Sequence, residues 1–175
     1  LCDIGRKDQA VRSEWAKGAT GSVIQEEAIE YALKMEETDS TNLAAVSQIL
    51  DTYGWPSGLS DEANKAIFLV IDHSDLRTMN KYIGLFRDAV EKGYLSMNDL
   101  VTMEDRMLMN SSKPQKYGTQ AYSLVEDGKT VIYIWPVEDP DKLDTLRKSV
   151  GLIPIEEYLE IVKQQGVEII YDKTK

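Results

Sequence analysis

The sequence predicts a mostly helical α+β fold with one small antiparallel sheet near residues 117–136. Apolar residues recur at intervals of three and four over most of the first 110 residues, which is the spacing of one helix face. The pattern then changes to the alternation typical of strands in YSLVEDGKTVIYIW, where Asp127-Gly128 separates two β-rich runs. At 175 residues the chain has the size of one domain, so we predict a single domain over 1–175.

Capping residues and glycines divide the helical part into six segments. Gly18 and Gly21 end the first helix, and Ser22 lies three residues before Gln25 in a capping-box pattern. The polar stretch 38–41 predicts a break between two helices, because its side chains are those preferred at helix N-termini. The predicted helices cover 3–17, the stretch from Ser22 to this break, 42–53, 61–74 capped by Ser60, 77–92, and 97–109 opened by Ser96.

The segment YGWPSGLSDE interrupts the helical pattern. Gly54, Pro56 and Gly58 fall within five residues and predict an ordered, non-helical loop. Trp55 carries a large apolar area, so we expect its indole to be buried beneath the helices that the loop joins.

The hairpin is predicted in detail because Asp-Gly favours a two-residue turn, which fixes the strand register. The pairs it predicts are Glu126 with Lys129, Leu124 with Val131, Tyr122 with Tyr133, and Gln120 with Trp135. After the hairpin we predict a short helix from Pro140 to Gly151, a last helix over 154–165, and an edge strand in VEIIYD.

Charge excludes some classes of partner. The formal net charge is −10 and the pI is about 4.6, so phosphate backbones and anionic lipid surfaces are repelled. The longest apolar run, Ala66–Ile71, is far shorter than the roughly 18 residues of a membrane-spanning helix. We therefore predict neither a nucleic-acid nor a membrane partner.

The chain begins at Leu1 rather than methionine, which favours an exported, periplasmic protein over a cytoplasmic one.

Charged and polar residues occupy several positions that should face inward. Asp8 shares a helix face with Ile4, Val11 and Trp15, and Arg12 is placed to pair with it at i+4. Buried charges are costly unless they are paired, so such residues indicate an internal ion-pair network or a ligand cleft. The others are His73 at the flank of an apolar stripe, Asp105 with Arg106, the i,i+3 pair of Asp144 and Arg147, and Gln120.

Familiar catalytic and metal motifs fit poorly. One histidine and one cysteine cannot supply the usual ligands of zinc, so we predict no metal site, with Asp72, His73 and Asp75 as the alternative set for a hard ion. Neither a nucleophile elbow nor a phosphate-binding glycine loop occurs, and no motif indicates a cofactor. A catalytic triad of Ser57 or Ser60 with His73 stays open.

Six short segments occur in an order that resembles a bacterial family known only as a domain of unknown function. Their patterns are D-Q-x-x-R, G-W-P, H-x-D, D-R, Q-x-Y-G-T-Q and R-x-x-x-G-L, found here in DQAVR (8–12), GWP (54–56), IDHSD (71–75), EDRM (104–107), QKYGTQ (115–120) and DTLRKSVGLIPIEEY (144–158). Asp72 departs from the pattern, because the family most often has glutamine before the histidine. The resemblance implies no activity, but its motif residues coincide with the inward polar positions.

Three hypotheses follow for these residues. The first is a hydrolase or transferase acting on a small anionic ligand, with His73 and Asp105 catalytic and with histidine as the acid/base group. Its ligand-binding residues would be Asp8, Arg12, Arg106, Gln120 and Arg147, the arginines holding a carboxylate or phosphate by paired hydrogen bonds. The second is a module that binds a ligand or peptide without turnover. The third is a structural polar network with no site.

Overall fold

A computed structural model describes residues 1–17 and 25–174, with the side chains of 1–14 and 29–174. The predicted helix end at Gly18 and Gly21 and the capping box from Ser22 to Gln25 lie outside the residues described. Contacts group the chain into two compact units, Leu1–Leu95 and Ser96–Lys175. The prediction of a single domain stays a prediction. The elements are α1 (Cys2–Lys17), α2 (Gln25–Tyr53), α3 (Asp61–Asp72), α4 (Leu76–Glu91), α5 (Met97–Asn110), β1 (Ala121–Glu126), β2 (Lys129–Ile134), α6 (Leu143–Ser149), α7 (Ile155–Gln164) and β3 (Ile169–Ile170).

The first unit consists of helices α1–α4 around an apolar core. Helix α1 packs against both α2 and α3, and α3 also packs against α4. Gly5 allows a close approach of α1 to α3, since a Cβ atom at this position would lie 2.8 Å from the Cβ of Ala66. The core side chains with almost no exposure are Val46, Ile67, Ile71, Met79 and Phe86.

The predicted break at 38–41 is wrong, because α2 is one helix from Gln25 to Tyr53. Two of these polar side chains have partners that are compatible with the helix: the Thr38 hydroxyl donates to the Lys34 carbonyl at 2.7 Å, and both Asp39 carboxylate oxygens accept from Arg12 on α1. Residues of this type favour caps only when no better partner is available in the helical state. Here the hydrogen bonds from Arg12 on α1 to Asp39 favour a continuous helix over a cap.

The predicted caps at Ser60 and Ser96 are confirmed. The Ser60 hydroxyl accepts the Ala63 N–H at the start of α3, and Ser96 with Asp99 forms a complete capping box on α5. Trp55 is only 8% exposed, its indole N–H donates to Asn64 Oδ1 at 2.9 Å, and its ring stands edge-on to Phe86. The GWP loop is therefore anchored as the sequence predicts.

The second unit contains a three-stranded sheet in the order β1-β2-β3. The hairpin register is the predicted one, with Tyr122 opposite Tyr133 and Glu126 opposite Lys129, and the Trp135 N–H donates to the Gln120 carbonyl. Strand β3 pairs with β2 in parallel, so the edge strand is confirmed and the sheet is mixed. Its buried core consists of Ile134, Val137, Leu143, Ile155, Leu159 and Ile169.

The mostly α, α+β class is therefore confirmed, with helices dominating the described elements. Within residues 1–17 and 25–174, no helix combines the length and the apolar character needed to cross a membrane.

Replacing Gly128 by Val should lower the free energy of unfolding by about 1–2 kcal/mol. Gly128 has φ +78° and Asp127 φ +50°, which a two-residue hairpin turn requires and a β-branched residue resists. No atom lies within 4 Å of the added Cβ, so the cost is one of backbone conformation. Urea unfolding followed by circular dichroism measures it.

The control for this substitution is Gly84→Ala, which also adds a side chain into open space but does so inside helix α4. Alanine is the better helix former there, so stability should rise by up to about 1 kcal/mol. Equal effects of the two substitutions would contradict the turn assignment.

Candidate functional site

The centre of the candidate site is the carboxylate of Asp8, which is 1% exposed. Its Oδ1 atom lies 3.0 Å from His73 Nδ1 and accepts a hydrogen bond of 2.9 Å from Arg12 Nη1. Its Oδ2 atom accepts one of 2.8 Å from the Gln9 side-chain amide. The predicted pair of Asp8 and Arg12 is thus confirmed, and it extends to the only histidine of the chain.

Arg12 continues this cluster from α1 to α2. Its two terminal nitrogens donate to the two oxygens of Asp39 at 3.0 and 2.9 Å, which is the planar, two-point geometry that arginine and carboxylate favour. The sequence pattern does not indicate Asp39 as a partner of Arg12, because the residues around Asp39 predict a helix break. Helical spacing from Met35 was the available signal, and only the position of α1 makes it informative.

The charges around Asp8 determine its ionisation. Burial raises the pKa of the Asp8 carboxyl, but the hydrogen bond and charge of His73, the Gln9 amide and the charge of Arg12 together bring that pKa below its usual value. Asp8 is therefore an anion at neutral pH. A carboxylate beside Nδ1 favours the proton on that nitrogen, which makes Nε2 the basic nitrogen of a neutral imidazole.

Local sequence fixes the position of His73 between two helices. His73 is the C-terminal cap of α3, with φ −89° and ψ 1°, and two residues later Asp75 caps α4 by accepting the Thr78 N–H at 2.7 Å. Between them the Ser74 hydroxyl donates to the Ile71 carbonyl at 2.6 Å. The segment His73-Ser74-Asp75 is thus a tight connection in which each polar side chain has a different structural task.

A cavity of about 530 Å³ opens beside the imidazole. It lies entirely within the first unit and has side chains of α2 on one side and of the α3–α4 connection on the other. We call it the His73 cleft; its lining residues are Ala32, Met35, Glu36, Asp39, Ser40, Leu43, Val70, His73, Ser74 and Asp75. The side chain of His73 is 17% exposed, so the imidazole is neither sealed in the core nor free in solvent.

A second polar cluster surrounds Asp105 in the second unit. Asp105 is fully buried, and its two oxygens accept from the backbone N–H groups of Lys116, Tyr117 and Thr119 and from the Thr119 hydroxyl, at 2.8–3.2 Å. The pKa of the Asp105 carboxyl is raised above its usual value, because the effect of burial exceeds the lowering by these donors. Every donor is an N–H or O–H group, so the geometry is that of an ionised acceptor holding a loop closed.

Two glutamines and an arginine complete the closure of loop 115–120. Gln115 and Gln120 exchange hydrogen bonds of 2.8 and 2.9 Å, and the Gln120 amide also donates to the Thr102 carbonyl. Arg147 is 3% exposed and donates to the carbonyls of Ile153 and Tyr117 at 2.7 Å. These contacts hold the QKYGTQ segment against α5 and α6.

The predicted i,i+3 pair of Asp144 and Arg147 does not form an ion pair. Arg147 is buried among backbone carbonyls, and Asp144 Oδ1 instead accepts the Ile155 N–H at the start of α7. Arginine satisfies several carbonyls at once because its guanidinium carries five donors. The carboxylates of Asp144 and Asp105 act on Arg147 through their charges, without a hydrogen bond to it.

The seven predicted site residues therefore fall into two groups. Asp8 joins Arg12 to His73 beside the His73 cleft, which of these three only His73 lines. Asp105, Gln120 and Arg147 meet around loop 115–120, and Arg106 is half-buried on α5. The prediction that all seven share one cleft stays a prediction.

Among the described residues, no three histidine, cysteine, aspartate or glutamate side chains converge as metal ligands would. Of the alternative partners for His73, Ser57 and Ser60 are exposed, and Ser60 is engaged as the cap of α3.

Comparison with known proteins identifies one match. A family model described as "Family of unknown function (DUF6624)" matches residues 1–169, in agreement with the resemblance inferred from the six motifs. No curated protein and no solved structure matches the chain.

Substituting Asp105 by Asn should destabilise the protein by on the order of 2–4 kcal/mol. The amide group would point a donor at N–H groups that now donate to a carboxylate oxygen, and these donors would lose their acceptor. The loss would be measured by urea unfolding of the variant and the wild type at neutral pH.

Asp144→Asn is the matched control in the same unit. Asp144 uses Oδ1 to accept the Ile155 N–H, and an asparagine oxygen can do the same, so this variant should lose far less stability. Comparable losses in the two variants would contradict the assignment of Asp105 as an acceptor at both oxygens.

Proposed function

The chain belongs to the family of unknown function DUF6624, and we propose that it is a hydrolase or transferase in which His73 is the acid/base group. One observation carries the proposal: the imidazole whose Nδ1 is 3.0 Å from a buried carboxylate also lines a cavity of ligand size. A histidine with a purely structural role would need the hydrogen bond to the carboxylate, but it would not need to line a cavity.

The chemistry follows from the two ring nitrogens. Asp8 holds the Nδ1–H and stabilises the imidazolium that forms when Nε2 accepts a proton, which is the part a buried aspartate takes in acid/base pairs of this type. In the cleft, Nε2 would remove a proton from water or a substrate hydroxyl as its oxygen attacks an electrophilic centre. The same proton would then pass from Nε2 to the leaving group.

Arg12 acts in this proposal on the aspartate rather than on the substrate. It donates to Asp8 and to both oxygens of Asp39, so it fixes the carboxylate that orients His73. The guanidinium is thereby engaged, and its predicted role as a clamp for an anionic ligand is replaced by a positioning role. Such support matters because acid/base groups lose much of their effect when they are displaced by about 1 Å.

The attacking group in this proposal comes from water or from substrate. The Ser74 hydroxyl lines the cleft but donates to the Ile71 carbonyl, which makes it a poor nucleophile. We assign Asp105, Gln120 and Arg147 to the scaffold, since their described contacts are with backbone groups of their own unit and with the side chains of Gln115, Thr119 and Tyr158.

Binding without turnover is the second candidate function. The observation that favours it is the cavity wall, where Ala32, Met35, Leu43 and Val70 offer apolar area that a ligand could cover without reacting. Both functions use the same cleft, and turnover separates them.

The test compares the wild type with His73→Asn on an uncharged activated ester, p-nitrophenyl acetate. Asparagine places an amide N–H near the position of Nδ1, so it can keep the hydrogen bond to Asp8 while removing the base. We expect turnover above that of an equal concentration of free imidazole, and a loss of about 100-fold or more in His73→Asn. The change in melting temperature should be small.

Glu37→Gln is the control, because Glu37 is exposed on α2 and does not line the cleft. It should keep wild-type turnover. Turnover no faster than that of imidazole, or turnover that His73→Asn retains, would contradict the catalytic role and leave the binding function.

A further inference from the structure

The charges that line the His73 cleft determine which ligands it can attract. Three of its lining side chains are carboxylates, those of Glu36, Asp39 and Asp75, and among the residues that the structure describes none of the lining side chains is lysine or arginine. The hydrogen bond from Thr78 to Asp75 lowers the pKa of that carboxyl, so it is ionised at neutral pH. Asp39 pairs with Arg12, which it shares with Asp8, whereas Glu36 is exposed on the wall of the cleft.

An anion would enter this cleft against the charge of its walls. Carboxylates gathered in a concavity with low-dielectric walls concentrate their field there, and the chain as a whole carries a net charge of −10. Two of the three arginines that the sequence predicts as ligands of an anion, Arg12 and Arg147, already donate to carboxylates or to carbonyls. The electrostatics therefore favour a ligand that carries positive charge.

The size and walls of the cleft favour an organic cation over a bare ion. A volume of about 530 Å³ lies in the range of small-molecule sites. Ala32, Met35, Leu43 and Val70 provide apolar surface, which would remain uncovered around a single ion. An ammonium group close to the carboxylates and a short apolar body against these four side chains would match both features.

We propose that the His73 cleft selects small organic ammonium compounds, with Glu36 as the residue that attracts the positive charge. This inference rests on the proposed function only for the location of the site. It names the class of substrate if His73 is catalytic, and the class of ligand if it is not.

The experiment titrates the full chain with three probes that share a four-carbon body: butylammonium, 1-butanol and butyrate. His73 is the only histidine, so its imidazole Cε1–H gives a single proton NMR signal that reports on the cleft directly. The solution is held at one pH of about 8 and at one salt concentration for all three probes. We expect butylammonium to shift this signal saturably and to bind at least about fivefold more tightly than 1-butanol, with butyrate weakest.

Two variants assign the charge preference to Glu36. Glu36→Gln should weaken butylammonium binding about two- to fivefold, as expected for one partly exposed charge. Glu37→Gln changes the same charge on the neighbouring residue of α2, outside the cleft lining, and should leave the affinity unchanged. Added sodium chloride should weaken binding to the wild type more than to Glu36→Gln.

The outcomes separate this inference from the proposed function. Butyrate binding as tightly as butylammonium, equal effects of the two glutamine variants, a response to calcium chloride but not to butylammonium, or no saturable shift with any probe would each overturn it. Turnover dependent on His73 would still support the acid/base role in that event. Conversely, butylammonium binding without turnover would support the inference and contradict the catalytic proposal.

Discussion

The candidate site depends on one buried negative charge, the Asp8 carboxylate, and on the groups that stabilise it. An isolated ion in a protein interior would cost several kcal/mol. Here Arg12, His73 and the Gln9 amide provide hydrogen bonds to both oxygens. Because these groups come from α1 and from the end of α3, the stabilisation of Asp8 also fixes how the two helices present their side chains to the His73 cleft.

Arg12 extends this hydrogen-bonded cluster from α1 to α2. It lies between Asp8 and Asp39, so that α1, α2 and the α3–α4 connection are linked by charge-assisted hydrogen bonds. Removing either carboxylate would leave the guanidinium partly unmatched, which is more costly than the pair itself is stabilising. The polar cluster is therefore best understood as a rigid support for one imidazole, with the ligand-facing surface provided by neighbouring residues of α2.

Sequence patterns predicted those parts of the molecule that depend on near neighbours. Asp127-Gly128 predicted the hairpin register, and Ser60 and Ser96 predicted where α3 and α5 begin. The i+4 spacing predicted the pair of Asp8 and Arg12. Each of these is a local interaction with a strong geometric preference. Tertiary contacts decided the rest: Asp39 stays inside a continuous helix because Arg12 reaches it from α1.

The partners of buried charged residues could likewise not be predicted from the sequence. Arg147 was expected to face a carboxylate three residues away, yet it is buried against backbone carbonyls of distant segments. A sequence position on an inward stripe indicates that a polar group needs partners, but it does not tell which partners are used. The same holds for Asp105, whose inward position was predicted and whose three backbone donors on loop 115–120 were not.

The most direct test of the account is the tautomer of His73, which long-range ¹H–¹⁵N correlation spectra report for each ring nitrogen. With one histidine in the chain, the two nitrogen signals need no mutagenesis to assign them to a residue. If Asp8 holds the imidazole as described, the neutral ring carries its proton on Nδ1, and Nε2 shows the shift of an unprotonated, basic nitrogen. A neutral ring protonated on Nε2 would mean that Asp8 does not orient it, and would contradict the account.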